Sequence, residues 1–357
     1  NTPEFGAGPN TLNALFGATR NPWDLARSAG GSSGGAAVAL ACGLGPLAQG
    51  TDLGGSLRIP ASVCGVIGFR TSPGRIPVWP SGWTSNQFSV TGPMARTVRD
   101  TALMLSVTAG PDDRVPISLD EPGEAFERVT DGDLASIARA AGRGPRIAWS
   151  PDLGVGVVEP EVARIVETAG QTFESLGCVV EDAHPEVGDP RPMIAALRAL
   201  GTAAGNPGLL ERADKVDNSF LREFLRRPSE LTGLEVARAW HEHSRLVERV
   251  AAFFREYDLL ITPTTPTAAY LVDQMFPPVV AGTPIASAID AMIVTYAITM
   301  TGLPAISVPA GWTEAGLPVG MQIVGRRHAE GAVLRAAAAF EAARPWADRR
   351  PPVALQA

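Results

Sequence analysis

Two glycine-rich segments, each built around serine, lie close together near the start of the chain. Residues 30–35 read Gly-Gly-Ser-Ser-Gly-Gly, and residues 50–60 read Gly-Thr-Asp-Leu-Gly-Gly-Ser-Leu-Arg-Ile-Pro, which puts Ser56 24 residues after Ser32. Between them, the small and apolar residues 36–44 predict a buried helix, and the apolar segment that follows predicts a strand. A helix followed by a strand returns the chain to the same end of a layered fold. The sequence therefore predicts that the hydroxyls of Ser32 and Ser56 meet.

The next part of the chain alternates between helix and strand signals. Residues 97–109 have the apolar spacing of a helix, with Gly110 as a stop signal. Residues 146–150 predict a strand, residues 162–176 an amphipathic helix, and residues 178–180 the strand after it. This alternation is typical of layered α/β folds.

The later part of the chain divides into a helical and a strand-rich portion. An acidic stretch rich in proline and glycine predicts an internal boundary near Gly142. Residues 192–254 are almost entirely helical in period and predict a cap or a wall over a site. Three buried strands and a closing helix are predicted after them, at residues 258–263, 305–309, 319–324 and 332–341, with the last two strands as neighbours.

Composition disfavours several classes of function. The formal net charge is -7 and no concentrated basic stripe is present, so we expect no nucleic-acid partner. The apolar runs are much shorter than the about 20 residues of a membrane span, so we expect no membrane partner. Cys42, Cys64 and Cys178 fit neither a disulfide framework nor a zinc site, which favours a reducing compartment and hence the cytoplasm. The four histidines lack metal-ligand spacing, so we expect no metal and no cofactor.

The two glycine and serine motifs resemble those of the amidase-signature family. Gly-Gly-Ser-Ser-Gly-Gly, Gly-Thr-Asp-x-Gly-Gly-Ser-x-Arg-x-Pro and Cys64-Gly65 occur in the family's order, and only residues 112–250 match loosely. The resemblance implies one amidase-signature core over residues 1–357, an α/β fold whose mixed, mostly parallel central sheet is flanked by helices. Its expected parts are a Ser/Gly-rich catalytic portion, a helical, cap-like variable portion, and a C-terminal sheet and helix portion, at residues 1–110, 143–255 and 256–345.

The resemblance also implies a catalytic relay made of a lysine, a serine held in a cis peptide and a nucleophilic serine. Ser56 matches the nucleophile and Ser32 the cis serine. Because an unperturbed serine hydroxyl is a weak nucleophile, Ser32 would take the proton of Ser56 and pass its own to the lysine. Backbone N–H groups of a glycine-rich turn can stabilise the oxyanion. The oxyanion-binding loop of the family matches Leu53, Gly54 and Gly55, together with Ser56. The family positions that support the loops by hydrogen bonding match Ser33, Thr51, Asp52 and Arg58.

The activity implied is hydrolysis of a carboxylic amide, and also of esters or carbamates, through an acyl-enzyme on Ser56. The expected partner is a small-molecule amide, and a homodimer stays open. One departure stands out, because the only lysine of the sequence is Lys215 whereas the family's catalytic lysine lies upstream of the first glycine motif. Since Asn1 falls inside a family motif, we expect the front portion of the core to be missing from this sequence. The alternative is an enzyme without this lysine.

Other interpretations of the same residues stay open at this stage. Ser56 could simply cap the helix after it, and Ser32 could simply bond to backbone. Residues 30–34 also fit the Gly-x-Ser-x-Gly elbow of α/β-hydrolases, which would make Ser32 the nucleophile, although no clear apolar strand precedes them. Trp79 and Trp83 either wall a substrate pocket or pack. The rival functions are an inactive scaffold and a non-hydrolytic subunit of the amidotransferase type.

Overall fold

The structure is a computed structural model that describes residues 1–138 and 143–355. The boundary predicted near Gly142 lies outside the described residues. Within them the strands are β1 (Leu12–Asn13), β2 (Gly17–Ala18), β3 (Leu47–Asp52), β4 (Ile67–Arg70), β5 (Val90–Ala95), β6 (Arg146–Trp149), β7 (Val179–Asp182), β8 (Leu259–Pro263), β9 (Val279–Val280), β10 (Thr283–Pro284), β11 (Ala305–Trp312) and β12 (Pro318–Gly325).

The α-helices of the described residues flank these strands and differ widely in length. They are α1 (Gly34–Ala41), α2 (Arg58–Cys64), α3 (Val98–Thr108), α4 (Pro160–Gly170), α5 (Thr172–Ser175), α6 (Arg191–Gly205), α7 (Pro207–Leu210), α8 (Ser219–Arg226), α9 (Gly233–Phe253), α10 (Ala288–Ala291), α11 (Ile293–Thr301) and α12 (Glu330–Ala343). None of the described helices combines the length and the apolar composition that crossing a membrane requires.

Eight strands form one central sheet in the order β3-β5-β4-β11-β12-β8-β6-β7. The mixed α/β sheet flanked by helices is confirmed, but parallel pairing is confined to the β8-β6-β7 edge. The other neighbour pairs are antiparallel, so the expectation of a mostly parallel sheet is wrong. The reason lies in the connections. Strands β11 and β12 are joined by a short turn, which only antiparallel strands allow, whereas helices α4 and α5 cross over between β6 and β7.

The two faces of the sheet differ in composition where β4, β11 and β12 lie side by side. One face carries apolar residues such as Phe69, Ile306 and Met321, which form a core with residues of α3, α4 and α12. The other face carries small or polar residues and receives α2, whose seven residues are all buried. A Cβ added at Gly68 would lie 2.2 Å from the carbonyl oxygen of Leu57, so glycine is required for this close approach. Helix α2 therefore lies directly on the sheet and fixes the turn that precedes it.

The sequence located most elements to within a few residues. The helix predicted at 97–109 is α3, whose N-cap Thr97 accepts a hydrogen bond from the N–H of Asp100 at 3.1 Å. The predicted neighbours β11 and β12 pair in antiparallel register. The portion at residues 143–255 is not purely helical, because it also supplies β6 and β7 to the edge of the sheet. Its helices α6, α8 and α9 form a separate core together with α11.

Candidate active site

Ser56 lies in the turn between β3 and α2, at the floor of a cavity. The cavity has a volume of about 200 Å³ and is lined on this side by Thr51, Leu53, Gly54 and Ser56. Ser56 is half-buried, which leaves its side chain reachable from the cavity. The turn is held from below, since the N–H of Ile59 in α2 donates to the carbonyl oxygen of Gly55 at 2.7 Å.

Ser32 lies in the other glycine loop, and the peptide bond between Gly31 and Ser32 is cis. Its side chain is 3% exposed. The loop directly contacts the turn that carries Ser56, the Ser56 turn, because the N–H of Ser33 donates to the carbonyl oxygen of Ser56 at 3.2 Å. A Cβ built on Gly6, which lines the cavity, would lie 3.9 Å from the Oγ of Ser32. The predicted meeting of the two serine loops is therefore confirmed for the backbone, and Ser32 lies just behind the cavity wall.

The three residues predicted to bind an oxyanion do not all lie in the same way towards the cavity. Leu53 and Gly54 line the cavity together with Ser56. The N–H of Gly55 instead donates to Oδ1 of Asp52 at 2.9 Å, so this group is turned away from the cavity. Gly55 has a φ of 121°, and an added Cβ would lie 2.6 Å from the Oγ1 of Thr295. The expectation that Gly55 donates to the oxyanion is therefore wrong; it shapes the turn.

Asp52 is fully buried and organises this turn. Its carboxylate accepts from the N–H groups of Gly55 and Leu57 and from both Nε and Nη2 of Arg58, at 2.9 to 3.2 Å. Arg70 donates to Oδ1 of Asp52 at 3.3 Å and to its carbonyl oxygen at 2.7 Å. Burial raises the pKa of Asp52, but the two guanidinium groups and the N–H of Leu57 outweigh it and lower this pKa to about 2. Asp52 is therefore ionised at neutral pH.

Arg58 extends this network to distant parts of the chain. It donates to Oε1 of Gln322 in β12 at 2.5 Å and to Oγ1 of Thr299 in α11 at 2.9 Å. Burial lowers the pKa of Arg70 to about 10, against the opposing attraction of Asp52. Ser33 packs against the loop, since a Cβ on Gly50 would lie 2.4 Å from its Oγ. The supporting places expected for Ser33, Asp52 and Arg58 agree with these contacts, whereas Thr51 is exposed at the cavity rim.

The opposite wall of the cavity comes from α6 and α8, in the helical portion predicted to form a cap or a wall, and from α11, which the sequence interpretation did not connect with the site. Arg198 of α6, Phe220 of α8 and Tyr296 of α11 line it. The ring of Tyr296 lies against the Ser56 turn, because a Cβ added at Gly54 would be 2.6 Å from two carbon atoms of this ring. The sequence did contain a signal for Arg198. It follows buried Ile194 by one helical turn, which places an arginine on the buried face of α6.

Neither predicted pocket tryptophan lines this cavity. Trp79 is half exposed and holds its ring 5.6 Å from the guanidinium carbon of Arg114. Trp83 packs on α6, where a Cβ on Gly201 would lie 3.0 Å from its ring. Of the two alternatives left open by the sequence, packing is the one that the contacts support, because Trp79 lies against Arg114 and Trp83 against Gly201.

The remaining sequence candidates lie outside this cavity. Lys215 is exposed in a short 3-10 helix and does not line it. Cys64 in α2 is buried, and burial raises the pKa of its thiol far above the physiological range. Burial also raises the pKa of Cys178, to about 11. Cys64 and Cys178 are therefore protonated at neutral pH and are not nucleophiles.

Fold and site together define an α/β protein with a serine set in a glycine-rich turn at the floor of a cavity. The family model described as Amidase matches residues 1–334. An acylamidase of Rhodococcus erythropolis is 39% identical over 98% of this chain and 72% of its own length. A glutamyl-tRNA(Gln) amidotransferase subunit of Moorella thermoacetica is 35% identical over 98% of this chain and 74% of its own length. The crystal structure of a bacterial aryl acylamidase, described as an amidase-signature enzyme, superposes with a TM-score of 0.86 at 32% identity, covering 97% of this chain and 72% of that one.

A family match over most of the chain and relatives above 30% identity show the family. This chain belongs to the amidase-signature family. Membership agrees with the resemblance drawn from the two glycine motifs.

Proposed function

We propose that this protein hydrolyses carboxylic amides through an acyl-enzyme on Ser56. The observation that carries the proposal is the position of Ser56, at a cavity floor and joined through its carbonyl oxygen to the loop of Ser32. The similarity to an acylamidase and to an aryl acylamidase structure supports an amide as the substrate.

In the proposed acylation step, the Oγ of Ser56 attacks the carbonyl carbon of the amide while its proton passes to the Oγ of Ser32. Ser32 gives up its own proton to the lysine that the family places before the first glycine motif. Leu53, Gly54 and Ser56 line the cavity, and their N–H groups are proposed to stabilise the oxyanion. Asp52 holds this turn through Gly55 and Leu57.

Collapse of the tetrahedral intermediate breaks the C–N bond, and the proton returns through Ser32 to the departing amine. Water then attacks the acyl ester on Ser56, with the relay taking a proton from the water, and releases the carboxylic acid. Because this chemistry depends on the carbonyl, esters and carbamates with suitable leaving groups would react in the same way. The cavity walls decide which substrates fit.

A fluorophosphonate probe tests the proposal directly, since it phosphonylates an activated serine and needs no knowledge of the substrate. The full-length protein is labelled, digested and mapped. We expect one adduct, on Ser56, and its loss in Ser56→Ala with an unchanged circular dichroism spectrum. The control is Ser175→Ala, which removes an exposed hydroxyl on α5 and leaves labelling intact. A folded wild-type protein without an adduct on Ser56 refutes the proposal.

The similarity to an amidotransferase subunit supports a second candidate, in which the chain works only together with partner proteins. This candidate predicts that the isolated protein releases no amine from aryl amides. The acidic composition disfavours contact with tRNA.

Three free thiols support a reducing compartment such as the cytoplasm. A homodimer stays a prediction.

A further inference from the structure

The wall of the Ser56 cavity carries a positive charge. Among the described residues that line the cavity, Arg198 is the one with a formal charge, and none of the others is an aspartate or a glutamate. None of the ion pairs in residues 1–138 and 143–355 includes Arg198. Its Nε is buried and finds no hydrogen-bond partner among the described residues. A half-buried cation without a counter-charge is costly unless a ligand supplies one.

Aromatic rings hold this guanidinium in place. Its central carbon lies 4.8 Å from the ring centre of Phe220, 4.6 Å from that of Phe224 and 5.8 Å from that of Tyr296. Contacts with aromatic faces favour the charged group and restrict its movement. The side chain is therefore oriented before any substrate arrives.

Tyr296 contacts both Arg198 and the Ser56 turn. Its hydroxyl oxygen accepts a hydrogen bond from Nη1 of Arg198, which fixes the direction of the guanidinium. Burial raises the pKa of Tyr296, which keeps the phenol protonated at neutral pH. Its ring lies against Gly54, two residues before Ser56. Because Tyr296 is buried and Arg198 is half-buried, the guanidinium is the group that a ligand in the cavity can reach, and Tyr296 positions it.

We infer that Arg198 and Tyr296 form an anion-recognition site and that the preferred substrates are amides carrying a carboxylate near the scissile carbonyl. The inference rests on the proposed hydrolysis at Ser56 and names its substrate class. Arg198 is the specificity-determining residue, and Tyr296 is the positioning residue that holds its guanidinium. Charge-assisted hydrogen bonds of this kind are stronger than neutral ones and orient the ligand.

Matched pairs of anilides with and without a carboxylate test the inference. N-succinyl-4-nitroanilide against N-butyryl-4-nitroanilide places the charge on the acyl side. For the amine side, 4-acetamidobenzoate is compared with 4-methylacetanilide. We expect wild-type kcat/KM to favour the anionic member of at least one pair by about 10- to 100-fold, the range for a charge-assisted hydrogen bond. In Arg198→Gln this preference falls to about onefold, because the loss is larger for the anionic member than for the neutral one, and Arg198→Lys restores part of the preference.

Arg212→Gln is the control, because it removes the same charge from an exposed position outside the cavity. Fluorophosphonate labelling of Ser56 is measured on each variant, so that failure of the nucleophile is separated from failure of recognition. If Ser56 of the wild type is labelled but its kcat/KM shows no preference for the anionic substrates, the inference is overturned and the hydrolase proposal stays intact. An equal loss on charged and neutral substrates in Arg198→Gln also overturns it, since that result marks Arg198 as purely structural.

Discussion

The backbone N–H of Ser33 donates to the carbonyl oxygen of Ser56 at 3.2 Å. This single bond joins two loops that a helix and a strand separate along the chain. It also couples the position of the Ser32 loop to that of the Ser56 turn. The predictions below test this arrangement and the buried charges that support it.

Replacing Ser32 by alanine should slow acylation without unfolding the protein. The variant removes the hydroxyl that relays the proton from Ser56, and general-base assistance is worth about 10²- to 10⁴-fold. We expect the rate of amide hydrolysis to fall by about this factor in steady-state kinetics. Ser175→Ala is the control. A Ser32→Ala enzyme with wild-type kcat would show that Ser32 only supports the backbone.

Replacing Gly54 by alanine should remove activity because its Cβ would lie 2.6 Å from the ring of Tyr296. Either the ring or the turn must move, and the N–H groups proposed to stabilise the oxyanion move with the turn. Loss of one oxyanion donor costs about 10²- to 10³-fold in kcat. Gly208→Ala is the matched control, since open space surrounds its Cβ position on α7. Equal kcat values for the two variants would contradict the proposed role of the turn.

Replacing Asp52 by asparagine should destabilise the fold strongly. The change leaves Arg58 and Arg70 buried without their carboxylate, and breaking a buried ion pair in this way costs about 3–5 kcal/mol. Urea unfolding measures the loss. Asp189→Asn breaks an exposed ion pair with Arg191 and should change the unfolding free energy by about 1 kcal/mol or less. Similar losses in both variants would refute the special role of Asp52.

The low pKa of Asp52 predicts how stability depends on acid. In the folded protein this pKa is about 2, below the ordinary value of 3.8. A lowered folded-state pKa contributes stability that is present above the unfolded pKa and is lost as pH falls towards the folded one. The difference in unfolding free energy between wild type and Asp52→Asn should therefore shrink from about pH 4 to about pH 2. A constant difference across this interval, measured by urea titration, would contradict the ionised state.

The sequence was sufficient for the parts of the site that are local. Two glycine motifs around Ser32 and Ser56, with one helix between them, predict loops that meet, and glycine permits their close backbone contacts. Asp52 and Arg58 lie six residues apart across the same turn, so their pairing also follows from a local motif.

The sequence was insufficient where distant segments meet. The pairing of Arg198 with Tyr296 joins residues 98 positions apart, and no period or spacing encodes that contact. Gly55 was assigned to the oxyanion because glycine permits the turn, but only the folded structure shows that Asp52 already accepts its N–H. The predicted strand directions were wrong for a similar reason. Buried strands have similar apolar patterns whether their neighbours are parallel or antiparallel.

The bond from Arg58 to Gln322 spans 264 residues of sequence. During synthesis on the ribosome, the segment with Ser56 emerges long before β12 exists to receive this arginine. We expect the Ser56 turn to stay loosely held in the nascent polypeptide until β12 has been translated and has folded against α2. The order of this turn then depends on a segment that leaves the ribosome much later.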